Sequence, residues 1–222
     1  MGRPHRGLAQ PLHAESRLPP VAADAQKKTL IARERDDAER AAWANRVAGV
    51  DPARFVWLDE CSVSTRLVPL WGWGPRGERV IGTEPRGRWD TTSLLATLTV
   101  AGMGASVVLP GAVDRLAFDQ FVEEVLLPTL VPGQIVVLDN LNVHRSAWAE
   151  TQLAAVGCEL WFLPRYSPDK NPIEQAFSKL KGGLRRAGAR TFDAVVHAVG
   201  VAYETISPSD AAGFIHAAGY SS

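Results

Sequence analysis

Three acidic residues stand where the texture of the chain changes. Asp59 closes the apolar run FVWLD, Asp139 closes IVVLD, and Glu174 falls in the first turn of NPIEQAFSKLK, which reads as a helix. Strand ends at the open edge of an α/β sheet are where ligand sites gather, because side chains there emerge beside loops. Three carboxylates brought together in such a place repel one another unless a cation neutralises them. Hard oxygen donors with no His or Cys cluster nearby favour Mg²⁺ or Mn²⁺ over zinc. Two such ions about 3.5–4 Å apart activate a water or sugar hydroxyl and stabilise the leaving oxygen of a phosphodiester. No Ser or Tyr stands in the setting of a covalent nucleophile, and this chemistry needs none.

Each acid also has a structural reading. Asp139 before Asn140 suits the cap of a turn or helix. Glu174 is three residues past Asn171, the capping-box position of a helix opened by Asn171 as N-cap with Pro172 first. Asp59 and Glu60 together suit a solvated turn. Glu60, by strand alternation, points to the face opposite Asp59. With Asn140 and Asn171 it is expected to support the three acids from behind. His144 is a candidate phosphate contact. Tyr166, Ser167 and Pro168 form a turn that shapes the loop leading to Glu174. On the helix, Ser178, Lys181 and Arg185 recur with Glu174 at helical spacing, so Lys181 and Arg185 share its side and suit backbone phosphates. Lys179, in the same basic run, is grouped with them. Gly182 and Gly183 weaken the helix there and suggest a bend or an end.

The elements that must position these residues follow from periodicity. Residues 1–25 read as a flexible arm or the remnant of a linker, 26–48 as a charged helix, and 50–222 as the globular domain. RFVWLDE is a strand ending in acids. LVPLWGWGPRGERVI reads as a strand, a Gly/Pro turn and a second strand. Trp71 and Trp73 then either pack inside that hairpin or stack on an unpaired base. TTSLLATLTV and ASVVLPG follow as strands. DRLAFDQFVEEVLLPTL is a helix with Leu116, Phe121, Val125 and Leu127 at roughly helical spacing. QIVVLDN is a strand buried on both faces. A helix over 146–156, the strand ELWFLP, the helix from Asn171 with Ile173, Phe177, Leu180 and Leu184 inward, and a last helix TFDAVVHAVGVAYETI complete the chain. This order predicts a mixed α/β sheet with helices on its faces.

The uncharged stretch 93–113 reads as two buried strands joined by a turn, since Gly102, Gly104 and Pro110 interrupt it, and not as a membrane span. Two cysteines, Cys61 and Cys158, in unrelated settings suggest no disulfide framework and a reducing cytoplasm. Lys plus Arg and Asp plus Glu balance at 24 each. Yet Lys179, Lys181, Arg185, Arg186 and Arg190 form an acid-free run, so zero net charge can conceal a basic face beside an acidic pocket.

Taken together, FVWLDE, GWGPRGERV, GRWDTTSLLATL, PTLVPGQIVVLDNLNVHRS and LPRYSPDKNPIEQAFSKLK resemble the DDE transposases of the mariner-type superfamily, specifically the bacterial insertion-sequence branch. The resemblance runs from about residue 50 to 205, and 34 residues separate Asp139 from Glu174, as is usual in that branch. Lys170 and Asp90 depart from it, standing where an aromatic or apolar residue and a lysine are common. The resemblance implies an RNase H-like mixed sheet flanked by helices. It makes Asp59, Asp139 and Glu174 the catalytic triad, holding two Mg²⁺ (or Mn²⁺) ions that serve cleavage and strand transfer of an insertion sequence. It implies DNA as partner, both transposon ends and target, and a homodimer on that DNA in a bacterial cytoplasm. Such proteins usually carry helix-turn-helix modules, which residues 26–48 do not resemble. An upstream helix-turn-helix reading-frame product is therefore an expected partner. The competing expectation is a truncated or inactive fragment that binds DNA or a partner without catalysis.

Overall fold

Alternation along FVWLDECSVS sends Phe55, Trp57, Cys61 and Val63 into one apolar cluster and Val56 and Leu58 into another. A strand with two buried faces needs cover on both, and the computed structural model supplies it. Residues 32–84, 91–140 and 146–220 are described. Five strands, β1 (Phe55–Ser64), β2 (Thr91–Thr99), β3 (Gly102–Pro110), β4 (Ile135–Leu138) and β5 (Glu159–Phe162), form one sheet in the order β3-β2-β1-β4-β5. β2 runs antiparallel to both neighbours, whereas β1, β4 and β5 are parallel.

On the first face lie α1 (Asp37–Val47), α4 (Ile173–Ala187), α5 (Phe192–Glu204) and α6 (Pro208–Ala217), which bury Trp43, Phe177, Leu180, Val199 and Ile215 against Phe55 and Trp57. On the second lie α2 (Arg115–Phe121) and α3 (Ala147–Ala155), which bury Phe118, Phe121 and Leu153 against Leu58, Val136 and Leu138. The expected mixed sheet with helices on both faces is the fold found, and β2 and β3 are the two strands expected in the uncharged stretch. Among the described residues no helix is long and apolar enough to cross a membrane, and Cys61 and Cys158 are free and buried.

Several expectations change. The charged helix starts at Asp37, because Asp36 accepts hydrogen bonds from the Ala38 and Glu39 amides and caps it there. It packs on the sheet through buried Trp43. No strand forms over residues 65–84; Trp71 and Trp73 are fully exposed, so the hairpin that would have packed them is absent. In α2, Leu116 faces solvent. Phe118, Phe121, Val122 and Leu126 make the buried stripe, and the helix widens into a π-turn at Val122–Leu126 that shifts its register. α4 runs straight through Gly182 and Gly183 and ends at Gly188, whose left-handed backbone (φ 61°) closes it. The glycine pair instead lets α5 approach: a Cβ on Gly183 would stand 3.3 Å from the Ala202 Cβ. α6 is an additional helix, opened by a capping box in which Ser207 and Asp210 exchange hydrogen bonds. Residues 1–25, the first part of the expected charged helix (26–31) and His144 lie outside the described residues.

Candidate active site

The parallel ladder sets the first two acids side by side. Phe55 faces Ile135, Val56 faces Val136 and Trp57 faces Val137. That register ends two residues short of both Asp59 and Asp139, which leaves the two acids at the same end of the neighbouring strands. Both point to the face covered by α4, since each is two residues past a side chain of that cluster. Asp139 follows the last residue of β4, as expected. Asp59 does not end its strand: β1 continues to Ser64 because β2 pairs with it along that length. What ends near Asp59 is the parallel pairing with β4, and there the sheet opens into a cavity of about 450 Å³.

Asp59, Asp139, Asn140, Asn171 and Glu174 all line this cavity, with Leu163–Pro168 as its far wall. Asp59 is 7% exposed. Its Oδ1 accepts the Glu60 amide at 2.7 Å and its Oδ2 accepts Asn171 Nδ2 at 2.8 Å. Here the structure corrects the expected helix start. Asn171 does not cap α4; the cap position falls on Pro172, and no side chain caps the helix. The Asn171 amide is turned toward Asp59 instead. Without a capping Asn171 the capping-box account of Glu174 also fails, and its exposed carboxylate belongs to the cavity wall.

The loop before α4 is held at several successive points. The Leu163 amide donates to Leu138 O beside Asp139 at 2.8 Å. Tyr166 adopts φ 53°, a left-handed conformation unusual for a non-glycine residue. Arg40 of α1 grips Asp169 with both guanidinium nitrogens at 2.8 and 2.6 Å, which holds the Asp169 carboxyl below its ordinary value. Tyr220 OH donates to Lys170 O at 2.7 Å while accepting Trp43 Nε1 at 3.1 Å. The Lys170 ammonium reaches Ala218 O at the C-terminal end of α6, where carbonyls and the helix dipole favour a cation. Arg40, Trp43 and Tyr220 were not singled out in the sequence. They lie far along the chain from the loop residues they hold, and only the lone Trp43 in a charged helix hinted at a docked face.

The remaining candidates scatter. Glu60 takes the opposite face, as alternation required, and accepts Ser93 Oγ at 2.6 Å. Lys179 is paired with Asp210 of α6 at 2.8 Å, a contact that ties the two helices together. Lys181 is half-buried and lies close to Cys61. Burial pushes the Cys61 thiol up, Lys181 opposes that, and the nearby Asp59 and Glu174 charges add to it. Lys181 therefore brings its charge in beside the acids. Arg185, one turn on, is half-buried as well.

The donor set is all carboxylate and amide oxygen, which suits a hard divalent cation. Among the described residues, however, no three Asp, Glu, His or Cys side chains stand close enough to close on one ion. Like charges around one cleft lie apart in the absence of a counter-charge.

A five-stranded mixed sheet with helices on both faces and acids on adjacent parallel strands is the RNase H-like fold of transposase catalytic domains. The chain belongs to the DDE superfamily endonuclease family, which matches residues 54–196. Its fold is similar to the protein of a pre-cleavage Mos1 transpososome, with TM-score 0.67 and 15% identity over 88% of this chain and 64% of that one. It is likewise similar to the Mos1 mariner paired-end complex with Mn, with TM-score 0.66 and 16% identity over 88% and 64%. The catalytic domain of Mos1 mariner transposase gives TM-score 0.59 at 14% identity, over 86% of this chain and 91% of that domain. The chain thus spans less than two thirds of the longer Mos1 chains. No curated protein sequence matches it.

Proposed function

We propose that this chain is the catalytic domain of a transposase that cleaves DNA at the ends of an insertion sequence and joins the freed 3′-hydroxyl to target DNA. The observation that carries the reading is the convergence of Asp59, Asp139 and Glu174 on one cavity at the open end of the parallel strands. These three would hold two Mg²⁺ or Mn²⁺ ions. When bound, such ions activate the attacking oxygen and neutralise the leaving one. The chain's own residues hold and orient. The Glu60 amide and Asn171 fix Asp59, the loop tied by Arg40 and Tyr220 presents α4, and Lys181 and Arg185 offer positive charge to the phosphate backbone beside Glu174.

DNA as partner, and a homodimer formed on paired ends, are supported by the fold shared with the Mos1 paired-end complexes. The bacterial insertion-sequence branch, and with it an upstream helix-turn-helix product, rests on the sequence motifs alone. The test is incubation of the purified chain with Mn²⁺ or Mg²⁺ and DNA carrying element ends. Nicking is expected at the ends and is expected to vanish in Asp139→Asn. Equal cleavage by that variant would sink the reading.

A second reading, a DNA-binding scaffold without catalysis, draws on the spacing of the three acids, which do not close on one ion as they stand. Calorimetric titration with Mn²⁺ separates the two, since a scaffold shows no heat that depends on Asp59 and Glu174.

A further inference from the structure

Asn171 lies between the turn at 168–170 and the first residue of α4, in extended backbone (φ −107°, ψ 99°), with 4% of its surface exposed. Its Nδ2 donates to Asp59 Oδ2 at 2.8 Å. An ionised carboxylate only accepts hydrogen bonds, so the amide must turn its NH₂ group to Asp59 and its oxygen the other way. That oxygen, Oδ1, is buried and has no hydrogen-bond partner among the described residues. A buried amide oxygen without a donor is unfavourable, and native proteins keep few of them unless a water, ion or ligand completes the set. Asn171 also lines the cavity shared by Asp59, Asp139 and Glu174. One side chain therefore holds a carboxylate of the acid cluster with one end and carries an unmet acceptor at the other.

We propose that Asn171 is a positioning residue for the divalent cation: Nδ2 locks the rotamer of Asp59, and Oδ1 accepts a hydrogen bond from a water that the cation brings with it. This rests on the reading of Asp59 as a metal-holding group. A divalent ion of the magnesium kind keeps several of its waters, and each needs acceptors in the wall around it. Partners that orient a ligand from behind typically change metal affinity by about 10- to 100-fold when lost. Asn171 does so from both sides, through the ligand and through the water. A cap at the same position would use the side chain on the α4 amides, and that bond is not made.

The test is calorimetric Mn²⁺ titration of the whole chain without DNA, paired with thermal unfolding of the metal-free protein. Asn171→Ala is expected to raise the Mn²⁺ dissociation constant by about 10- to 100-fold. The metal-free melting temperature should fall modestly, because the bond to Asp59 is lost while the unmet acceptor is removed with it. A purely structural Asn171 predicts that fall with unchanged Mn²⁺ affinity in the folded protein, which would overturn the proposal. Should the alanine variant fail to fold, Asn171→Ser keeps a small polar group and is read the same way. If the unaltered chain binds no Mn²⁺, or binds it equally after Asp59→Asn, the metal-site reading falls and this proposal with it. If the unaltered chain binds and only Asn171→Ala is silent, this proposal alone falls.

Discussion

At the residue scale, the site turns on which face of β1 a carboxylate takes. Asp59 and Glu60 are neighbours of the same charge, yet alternation gives them different surroundings. Asp59 faces Asn171 and the cavity, and Glu60 faces Ser93 on the other side of the sheet. The pair is thus its own control. We expect Asp59→Asn to lower Mn²⁺-dependent nicking by at least about 100-fold, the upper end of what even an outer partner costs a metal site. Glu60→Gln, which keeps an oxygen for the Ser93 hydroxyl, should stay within a few-fold of the unaltered chain. A nicking assay on both variants, with melting curves to confirm folding, decides it; equal losses would show that the face of the sheet is not what matters. The opposite orientation of Glu60 was legible in the sequence because period two is a property of any strand. The bond from Asn171 to Asp59 was not. It joins residues 112 positions apart, and a local reading of Asn-Pro at a helix start favours a cap.

At the scale of elements, α4 carries the acid and also the joint with α5. Its two central glycines look alike in sequence and differ in space. A Cβ on Gly182 meets nothing nearer than the Arg186 guanidinium at 3.7 Å, whereas one on Gly183 stands 3.3 Å from the Ala202 Cβ. We expect Gly182→Ala to stabilise the protein by roughly 0.5–1 kcal/mol, the helix-propensity difference. Gly183→Ala should gain less or lose, because α5 must shift to admit it. Thermal unfolding of the two variants measures the contrast, and equal gains would mean that the approach of α5 does not depend on Gly183. Other elements divide along the same line. β2, β3, β4, β5 and the buried stripe of α4 were legible, since buried strands and an amphipathic helix write their period into the chain. The segment after β1 was misread because WGWGPRG pairs turn residues with aromatics, the usual marks of a hairpin. Pairing needs a partner strand as well as propensity, and Trp71 and Trp73 stand in solvent. α6 was missed although Ser207-Pro208-Ser209-Asp210 spells a helix start.

At the scale of the whole molecule, the chain is neutral in sum, and its clearest response to pH lies at the alkaline end. Tyr220 joins α1, the loop before α4 and the core of the first face: its ring meets Phe55 and Trp57 at steep angles, and it hydrogen-bonds Trp43 and Lys170. Burial, opposed more weakly by the hydrogen bond with Trp43, pushes its phenol up to about 12. Burial raises Tyr203 in the same direction. The sign follows from proton counts. Above the ordinary tyrosine value of about 10 the unfolded chain loses the phenolic proton while the folded chain keeps it, so raising the pH favours unfolding. Tyr220's contribution is complete below pH about 10 and is lost by about 12, an effect on the order of 2–3 kcal/mol. Lysines titrate in the same window, which is why the comparison must be with Tyr220→Phe. That variant should be less stable at pH 8 by about 1–3 kcal/mol, having stranded Lys170 O and Trp43 Nε1. From pH 9.5 to 11.5 it should lose less further stability than the unaltered protein. Urea unfolding across that range measures both slopes. Parallel curves would mean that Tyr220 ionises as freely in the folded chain as in the unfolded one, and that the anchor between α1 and the loop before α4 is looser than its hydrogen bonds indicate.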